Sequence, residues 1–220
     1  MESDQKFVPA LGRLSDDLGS YDRVVALMSR ERAWRSAMLN LIAPADEDVI
    51  VDVGAGTGSL AVALKQRAPS CRLVAIDPDP EVLEIARAKG EALANGIEWR
   101  QGMGDQVSEF VADGSANKAV SSLVLHHCDL PVKQRVLRAM AKVLQPGGQL
   151  FIADYGRQRT PWMRALFLLV QVADGFKTTG QNAQGILPRL IADAGFVDVA
   201  ERSIVATPTG SISLYTARRP

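Results

Sequence analysis

The chain has 220 residues with 25 basic and 25 acidic side chains, so its formal net charge at neutral pH is zero. This length suffices for one domain with a sizeable core, and the balanced charge argues against a dedicated nucleic-acid-binding protein, which usually carries a basic excess. The two cysteines, Cys71 and Cys128, indicate neither a disulfide framework nor a zinc site, so we expect a reduced, cytoplasmic compartment and no bound metal.

Neither an export signal nor a membrane-spanning segment is predicted. The opening residues, MESDQKFVPA, lack a basic start and an apolar core. The most apolar run, ALFLLVQVA at 165–173, has nine residues, whereas about 20 are needed to span a bilayer. We therefore expect no transmembrane segment, while weak contact with a membrane surface stays open.

Apolar residues recur at helical spacing from about residue 21 to residue 42, with a turn between two helices near 29–32. From residue 49 onward, short apolar runs alternate with helical patterns. Such alternation predicts right-handed crossovers and a parallel sheet covered on both faces. The predicted strand–helix pairs are 49–53 with 59–67, 72–76 with 80–94, 97–101 with a short helix or loop, and 119–125 with 131–144.

The C-terminal part departs from this alternation. The last two predicted strands are four residues apart, which suits an antiparallel hairpin. The elements predicted here are a turn at 146–148, a strand at 149–153, a helix at 161–176, a polar loop at 177–185, a helix at 187–194, and strands at 197–206 and 211–217. The whole predicts an α/β fold with a doubly wound, mostly parallel seven-stranded sheet that ends in an antiparallel hairpin.

The sequence VDVGAGTGSL at 51–60 places Gly54, Gly56 and Gly58 where the first strand of this sheet feeds a helix. Each glycine costs backbone entropy, so a compensating use is expected. A tight turn with a positive φ would usually need one glycine. Three at alternate positions favour a loop that lets a ligand approach the backbone and the amides of the next helix, at the carboxyl edge of the sheet.

Asp77 indicates the chemistry of the ligand, because it ends the second strand 19 residues beyond Gly58. A carboxylate in this register accepts hydrogen bonds from both ribose hydroxyls of an adenosine-containing cofactor. The dinucleotide pattern G-x-G-x-x-G would need a third glycine where Ser59 stands. The loop therefore argues against a nicotinamide cofactor without removing that alternative.

Four stretches carry a resemblance to a known family: VDVGAGTGSLAVAL, AIDPDPEVLEIARAK, SSLVLHH and VLQPGGQLFIAD. In their order and spacing, the chain resembles the class I S-adenosylmethionine-dependent methyltransferases from about Tyr21 to its C-terminus. The stretch YDRVVALMSRERAWRSAML is similar to the lid region of the ubiquinone/menaquinone-biosynthesis C-methyltransferases. The resemblance implies a Rossmann-like fold, a helical lid at 1–45, a cofactor-binding domain at 46–220 and a helical substrate insert at about 156–186.

The resemblance also implies S-adenosylmethionine as the cofactor and suggests its contacts. The glycine loop and Asp52 would hold the methionine moiety, Asp77 the ribose and Pro78 the adenine. Met103 stands where the family usually has an acid for the adenine amino group, so backbone amides or Asp105 would make that contact. The implied cofactor-binding residues are Tyr21, Asp52, Gly54, Ala55, Gly56, Thr57, Gly58, Asp77, Pro78, Met103, Gly104, Asp105 and Leu123.

Methyl transfer from a sulfonium mainly needs orientation and exclusion of water, because the leaving group is already activated. A base is needed only where the acceptor begins protonated or is a carbon atom. The candidates are His126 and His127, the only histidines, which follow the fourth strand, and Tyr155, which follows the fifth together with Asp154. Capping of the strand ends is the structural alternative for each of them.

The preferred hypothesis is methyl transfer to a small apolar or aromatic acceptor, such as a quinone precursor, a phenol or a lipid-like molecule. Residues 162–176 would supply the apolar wall of its pocket. Such a protein needs no nucleic-acid partner and would act as a monomer or a homodimer. The alternatives are a non-catalytic S-adenosylmethionine-binding regulator, favoured by Met103 and by the lack of an obvious base, and a nicotinamide-dependent oxidoreductase.

Overall fold

A computed structural model describes residues 30–91, 93 and 96–220. The first part of the predicted N-terminal helix lies outside the described residues. The same holds for Tyr21, which was assigned to the cofactor, and for most of the predicted lid.

Seven strands form one sheet in the order β3-β2-β1-β4-β5-β7-β6. All of them run parallel except β7, which is antiparallel to both of its neighbours. The order reverses between β1 and β4, which places a switch point at the centre of the sheet, and the predicted fold class is confirmed. The strands are β1 Val49–Val53, β2 Arg72–Asp77, β3 Glu98–Gln101, β4 Ala116–Ser122, β5 Leu144–Tyr155, β6 Val197–Thr207 and β7 Gly210–Arg218.

Helices cover both faces of the sheet and give it two cores. One core includes buried side chains of α4 and α7, and the other includes side chains of α1, α2, α5 and α6. The helices are α1 Glu31–Ile42, α2 Ser59–Arg67, α3 Pro80–Gly90, α4 Leu130–Val143, α5 Pro161–Asp174, α6 Phe176–Ala183 and α7 Leu187–Asp193. Two short 3-10 helices, Gly104–Glu109 and Leu125–His127, follow β3 and β4.

Helix α1 runs antiparallel to the central strands. At its start, Arg30 Nη1 donates to the Ala206 carbonyl at 2.9 Å, near the end of β6. Beyond its last turn, the Ala43 carbonyl accepts from Lys118 Nζ at 3.0 Å, near the start of β4. Helix α1 therefore begins at the carboxyl edge of the sheet, where ligands bind in open α/β folds.

Three predicted boundaries were wrong. The fourth strand ends at Ser122 rather than at residue 125, because Leu123 adopts a left-handed φ of 56° that turns the chain out of the sheet. The Pro146–Gly148 turn lies inside β5, where a shift in register lets five residues of β5 oppose two of β4. The third helix ends at Gly90, four residues before its predicted end.

The predicted polar loop at 177–185 was also wrong, because most of it forms α6. Its sequence, FKTTGQNA, is poor in strong helix formers. Tertiary packing decides the outcome, since Thr179, Asn182 and Ala183 recur at helical spacing and are all buried. The helix is thus defined by what its inner face contacts.

Neither cysteine forms a disulfide, and Cys71 is buried. Within the described ranges, no helix combines the length and the apolarity required to cross a bilayer.

Candidate functional site

The candidate site lies at the carboxyl edge of the four central strands. The glycine loop follows β1, Asp77 ends β2, the segment from Leu123 to His127 follows β4, and Asp154 lies near the end of β5. Parallel strands bring these carboxyl ends to one edge, and in open α/β folds ligands bind beside a switch point such as the one between β1 and β4.

The glycine loop uses a left-handed backbone at all three glycines. Gly54, Gly56 and Gly58 have φ values of 76°, 52° and 75°. The amides of Gly54 and Ala55 both donate to the Ile76 carbonyl, at 2.8 and 3.0 Å. A loop of this kind is closed to most L-residues and is tied directly to the end of β2.

The three glycines differ in what surrounds them. A Cβ on Gly54 would lie 2.2 Å from Val124 Cγ2, and a Cβ on Gly58 would lie 2.5 Å from Trp99 Cη2. A Cβ on Gly56 would have nothing within 4 Å. Gly54 and Gly58 therefore allow the protein to pack on itself, and Gly56 is the glycine whose missing side chain leaves open space.

Asp77 holds the glycine loop against β2. One carboxylate oxygen accepts from the Gly56 amide at 2.8 Å, and the other accepts from the Asp79 amide at 3.0 Å. Burial raises the pKa of Asp77, while these two amide hydrogen bonds oppose the shift. The adjacent Pro78 accepts a hydrogen bond at its carbonyl from the Gln101 side chain at 3.4 Å.

Asp52 is the most unusual group at this edge. Its side chain is fully buried, and neither carboxylate oxygen has a hydrogen-bond partner among the described residues. Burial, and then the charge of Asp77, raise the pKa of Asp52 to about 7, while Arg35 opposes the shift. A buried carboxylate without a donor is costly, so the site is suited to a group that brings a positive charge or N–H donors.

The end of β3 supplies the region assigned to the adenine. The Gly102 amide donates to the Asp77 carbonyl at 3.1 Å, and the Met103 amide donates to Gln106 Oε1 at 3.1 Å. Gly104 lies close to β1, since a Cβ there would be 2.9 Å from Val53 Cγ1. Asp105 accepts from Arg135 Nε at 2.8 Å, so a cofactor amino group would compete with this ion pair.

Leu123 turns the chain after β4 and is half-buried among apolar side chains. Its amide donates to the Ala153 carbonyl at 2.8 Å, which holds the strained residue in place. A left-handed non-glycine residue costs about 1–2 kcal/mol. The next residue, Val124, packs against Gly54, and the short 3-10 helix that carries His126 follows directly.

His126 and Asp154 form a buried dyad. His126 Nδ1 lies 2.8 Å from Asp154 Oδ1, and both side chains are almost fully buried. Asp154 also accepts from the backbone amides of Leu125 and Tyr155, each at 2.7 Å. Burial alone would raise the pKa of Asp154, but His126 and the Tyr155 amide lower it below its ordinary value. An ionised Asp154 orients the imidazole and favours a proton on Nδ1.

The other predicted catalytic residues surround this dyad. The His127 ring centroid lies 3.9 Å from that of His126, and the Tyr155 ring meets His126 edge-on at 5.0 Å. The Tyr155 hydroxyl pairs with the hydroxyl of Thr209 at 2.8 Å. The structure thus brings all three predicted residues together, with the tyrosine hydroxyl directed to the β6–β7 turn.

Three residues outside the predicted site contact or flank it. Asn182 of α6 donates to Asp154 Oδ1 at 3.2 Å and to the Tyr155 carbonyl at 3.1 Å. Lys133 of α4 is fully buried and donates to the Thr178 carbonyl at 2.8 Å. The charge of Arg35 of α1 lowers the pKa of Asp52, and Arg35 also forms an ion pair with Glu31. No local pattern of the sequence identifies Asn182, Lys133 or Arg35, and the weak helical preference of FKTTGQNA conceals α6.

No cluster of three or more His, Cys, Asp or Glu side chains in the described part of the chain could hold a metal ion.

Comparisons with known proteins agree with this geometry. Residues 50–148 match the family described as a methyltransferase domain. The chain is 30% identical over 154 residues to the ubiquinone/menaquinone biosynthesis C-methyltransferase UbiE of Paracoccus denitrificans, covering 67% of this chain and 59% of that protein. It is also 30% identical over 132 residues to the human thiol S-methyltransferase TMT1A, covering 59% of this chain and 51% of that protein.

The fold is shared with solved structures at low sequence identity. Magnesium protoporphyrin IX methyltransferase from Synechocystis, solved with bound SAH, superposes with a TM-score of 0.65 at 18% identity. That match covers 95% of this chain and 90% of the other chain. A likeness at this identity concerns the fold alone.

Together these matches agree with the resemblance that the sequence carries, because residues 50–148 match the methyltransferase-domain family. Quinone-biosynthesis C-methyltransferases are among its homologues at about 30% identity. The chain spans between half and three fifths of the length of the two curated relatives described above. The family match supports S-adenosylmethionine as the cofactor and favours a transferase over an oxidoreductase.

Because the glycines have different surroundings, replacing them should have different effects on the free energy of unfolding, which is measured in urea. Gly58→Ala should destabilise by roughly 2–5 kcal/mol, because the new methyl group meets Trp99 and Ala86 in a left-handed conformation. Gly56→Ala should cost about 1–2 kcal/mol, since only the backbone conformation is affected. Equal losses at both positions would contradict the assigned division of roles.

Asp52 generates a second prediction, about stability and pH. Because burial raises the pKa of Asp52 in the folded protein to about 7, from an ordinary value of 3.8, ionisation of Asp52 opposes folding. Asp52 therefore contributes most favourably to the free energy of unfolding below about pH 4, and this contribution is lost as the pH rises toward 7. Asp52→Asn should stabilise the cofactor-free protein by about 2 kcal/mol at pH 8 and change it little at pH 4.

The measurement is urea unfolding of both proteins across this range of pH. Asp105→Asn serves as the matched control, because Asp105 is half-buried in an ion pair and carries no orphan charge. A stability difference between Asp52→Asn and the native chain that is constant with pH would contradict the assigned titration.

Proposed function

We propose that this protein transfers the methyl group of S-adenosylmethionine to a small apolar or aromatic acceptor. The observation that carries the proposal is the buried carboxylate of Asp52, which has no hydrogen-bond donor among the described residues and lies one residue from the end of β1, beside the left-handed glycine loop. A cationic amino-acid ligand would supply the missing charge and donors.

The remaining groups at this edge fit the other parts of the cofactor. Asp77 is a buried carboxylate whose present partners are two backbone amides, and its oxygens are suited to the paired hydroxyls of a ribose. The open space at Gly56 lets a ligand approach the backbone. Leu123 and the backbone of Met103 and Gly104 would line the sulfonium and adenine ends. Thr57 would add a polar contact.

Bound S-adenosylmethionine supplies a methyl group on an activated leaving group. The protein would then orient the acceptor, exclude water and take a proton where the acceptor loses one. His126 is the base that the geometry supports best, because Asp154 lies 2.8 Å from its Nδ1 and fixes the orientation of the ring. His127 and Tyr155 would shape the acceptor side of the dyad through their rings.

The acceptor is proposed from the apolar side chains of the insert. Phe167 of α5 packs on Tyr155 with ring centroids 5.0 Å apart, and Tyr155 in turn contacts His126. An apolar or aromatic acceptor would complete this wall, as a quinone precursor, a phenol or an aromatic thiol would. The relatives bear names with two different acceptor atoms, carbon and sulfur, so the proposal concerns the class of molecule rather than the atom.

A reducing, cytoplasmic location is proposed as well, supported by two free cysteines. We propose residues 1–45 as the lid over the cofactor, supported by α1 beginning at the carboxyl edge.

Calorimetric titration tests cofactor binding. S-adenosylmethionine should bind more tightly as the pH rises from 6 to 7 and change little above pH 8, because its net positive charge favours ionised Asp52. Asp52→Asn should weaken binding and remove most of this dependence. The demethylated product, S-adenosylhomocysteine, should bind with a weaker pH dependence because it lacks the sulfonium. Absence of heat with either compound, from folded protein, would contradict the proposal.

Variants of the dyad test the chemistry, with a panel of quinols, phenols and thiols and a labelled methyl group. Asp154→Asn and His126→Asn should lower kcat about 10²–10⁴-fold for acceptors that lose a proton. Both should leave the affinity for S-adenosylmethionine within a few fold. Tyr155→Phe is the control, because its hydroxyl is engaged with Thr209. Cofactor binding without methyl transfer to any acceptor would favour the regulator instead.

A further inference from the structure

Helix α5 has a buried inner face and an apolar outer face. Thr160 caps its first turn by accepting from the Met163 amide, and Phe167, Val170 and Gln171 on the inner face are buried. The outer face continues into the first residue of α6. Its exposed large side chains are Trp162 (72% exposed), Leu168 (44%), Leu169 (58%), Val172 (75%) and Phe176 (59%).

This apolar outer face, defined by those five side chains, is exceptional for the molecule. In the part of the chain that the structure describes, only two other large apolar side chains are exposed, Val197 and Ile204 of β6. A contiguous apolar surface on a monomer usually marks an interaction site. The charges around this face indicate which kind of partner would bind there.

The charges around the face point to an anionic partner. Residues 157–177 contain four basic side chains and one acidic one, although the whole chain has no net charge. Arg157 and Arg164 are exposed and form no ion pair with a described residue. Lys177 is largely exposed and lies 3.4 Å from the partly exposed Asp129, a weak pairing in water. Arg159 is the member of the group that pairs closely, with Glu201.

We propose that the apolar outer face of α5 docks on an anionic lipid surface. A helix with large apolar residues on one side and basic residues at its margins lies in the plane of such a surface, with tryptophan and phenylalanine at the level of the headgroups. At 14 residues, α5 is about 21 Å long, too short to cross the bilayer. It would rest on the surface with its axis parallel to it.

Docking through α5 would place a lipid surface close to the candidate site. Its inner face reaches the dyad through Phe167 and Tyr155, whose rings are 5.0 Å apart. A bilayer bound to the outer face would therefore lie one helix away from the candidate site. Docking itself does not depend on methyl transfer, because its evidence is the exposed face and its charges.

Vesicle sedimentation of the full chain tests the proposal without any activity measurement. The protein should sediment with vesicles rich in phosphatidylglycerol, less as salt is raised, and little with phosphatidylcholine alone. Leu169→Ser and Val172→Ser should each reduce the partition coefficient about tenfold, as expected for loss of an inserted aliphatic side chain. Arg164→Gln should reduce it about fivefold and weaken the salt dependence.

Ile204→Ser is the matched control, since it removes an exposed apolar side chain of β6 and should leave binding unchanged. Thermal unfolding checks that each variant is folded. Absence of the chain from the anionic vesicle pellet would overturn the proposal, as would equal binding by Leu169→Ser and the native chain. A dimer in light scattering that Val172→Ser converts to a monomer would identify the face as an interface between copies instead.

Discussion

The edge of the sheet is organised around a buried carboxylate whose ionisation the protein disfavours. Asp52 is fully buried in β1, and its carboxylate accepts no hydrogen bond from the described residues. Asp77 adds a second buried carboxylate nearby, and its charge raises the pKa of Asp52 further. A protein selected only for stability would place an apolar residue at position 52. This arrangement supports the proposed role of Asp52 as the half of an ion pair that a cationic ligand completes.

The rest of the edge maintains that arrangement. The amides of Gly54 and Ala55 fix the loop to β2, and Asp77 fixes Gly56. On the acceptor side, Asp154 performs the corresponding task, because it joins the histidine, two backbone amides and Asn182 in one buried network. The two carboxylates differ in character: Asp52 has no hydrogen-bond donor in the described part of the chain, whereas Asp154 has several.

Much of this site could be predicted from sequence because its signals are local. The glycine loop, Asp77 and the strand ends follow from short motifs whose backbone requirements are carried by single residues. Asn182 and the helix that carries it could not be predicted, since the sequence FKTTGQNA has weak helical preference and is held by contacts distant in the chain. Leu123 was misplaced for a related reason, because a left-handed leucine opposes its own intrinsic preference. Asp105 is paired with Arg135, and an adenine amino group would compete with that pair. No linear pattern in the sequence shows this pairing.

The contact between Gly54 and Val124 joins the two halves of the site. The space left by the missing side chain of Gly54 is filled by Val124, which stands two residues before His126. The glycine loop and the segment that carries the imidazole therefore pack directly on one another. Substitutions at positions 54 and 124 are expected to have non-additive effects, so the two segments are constrained to vary together.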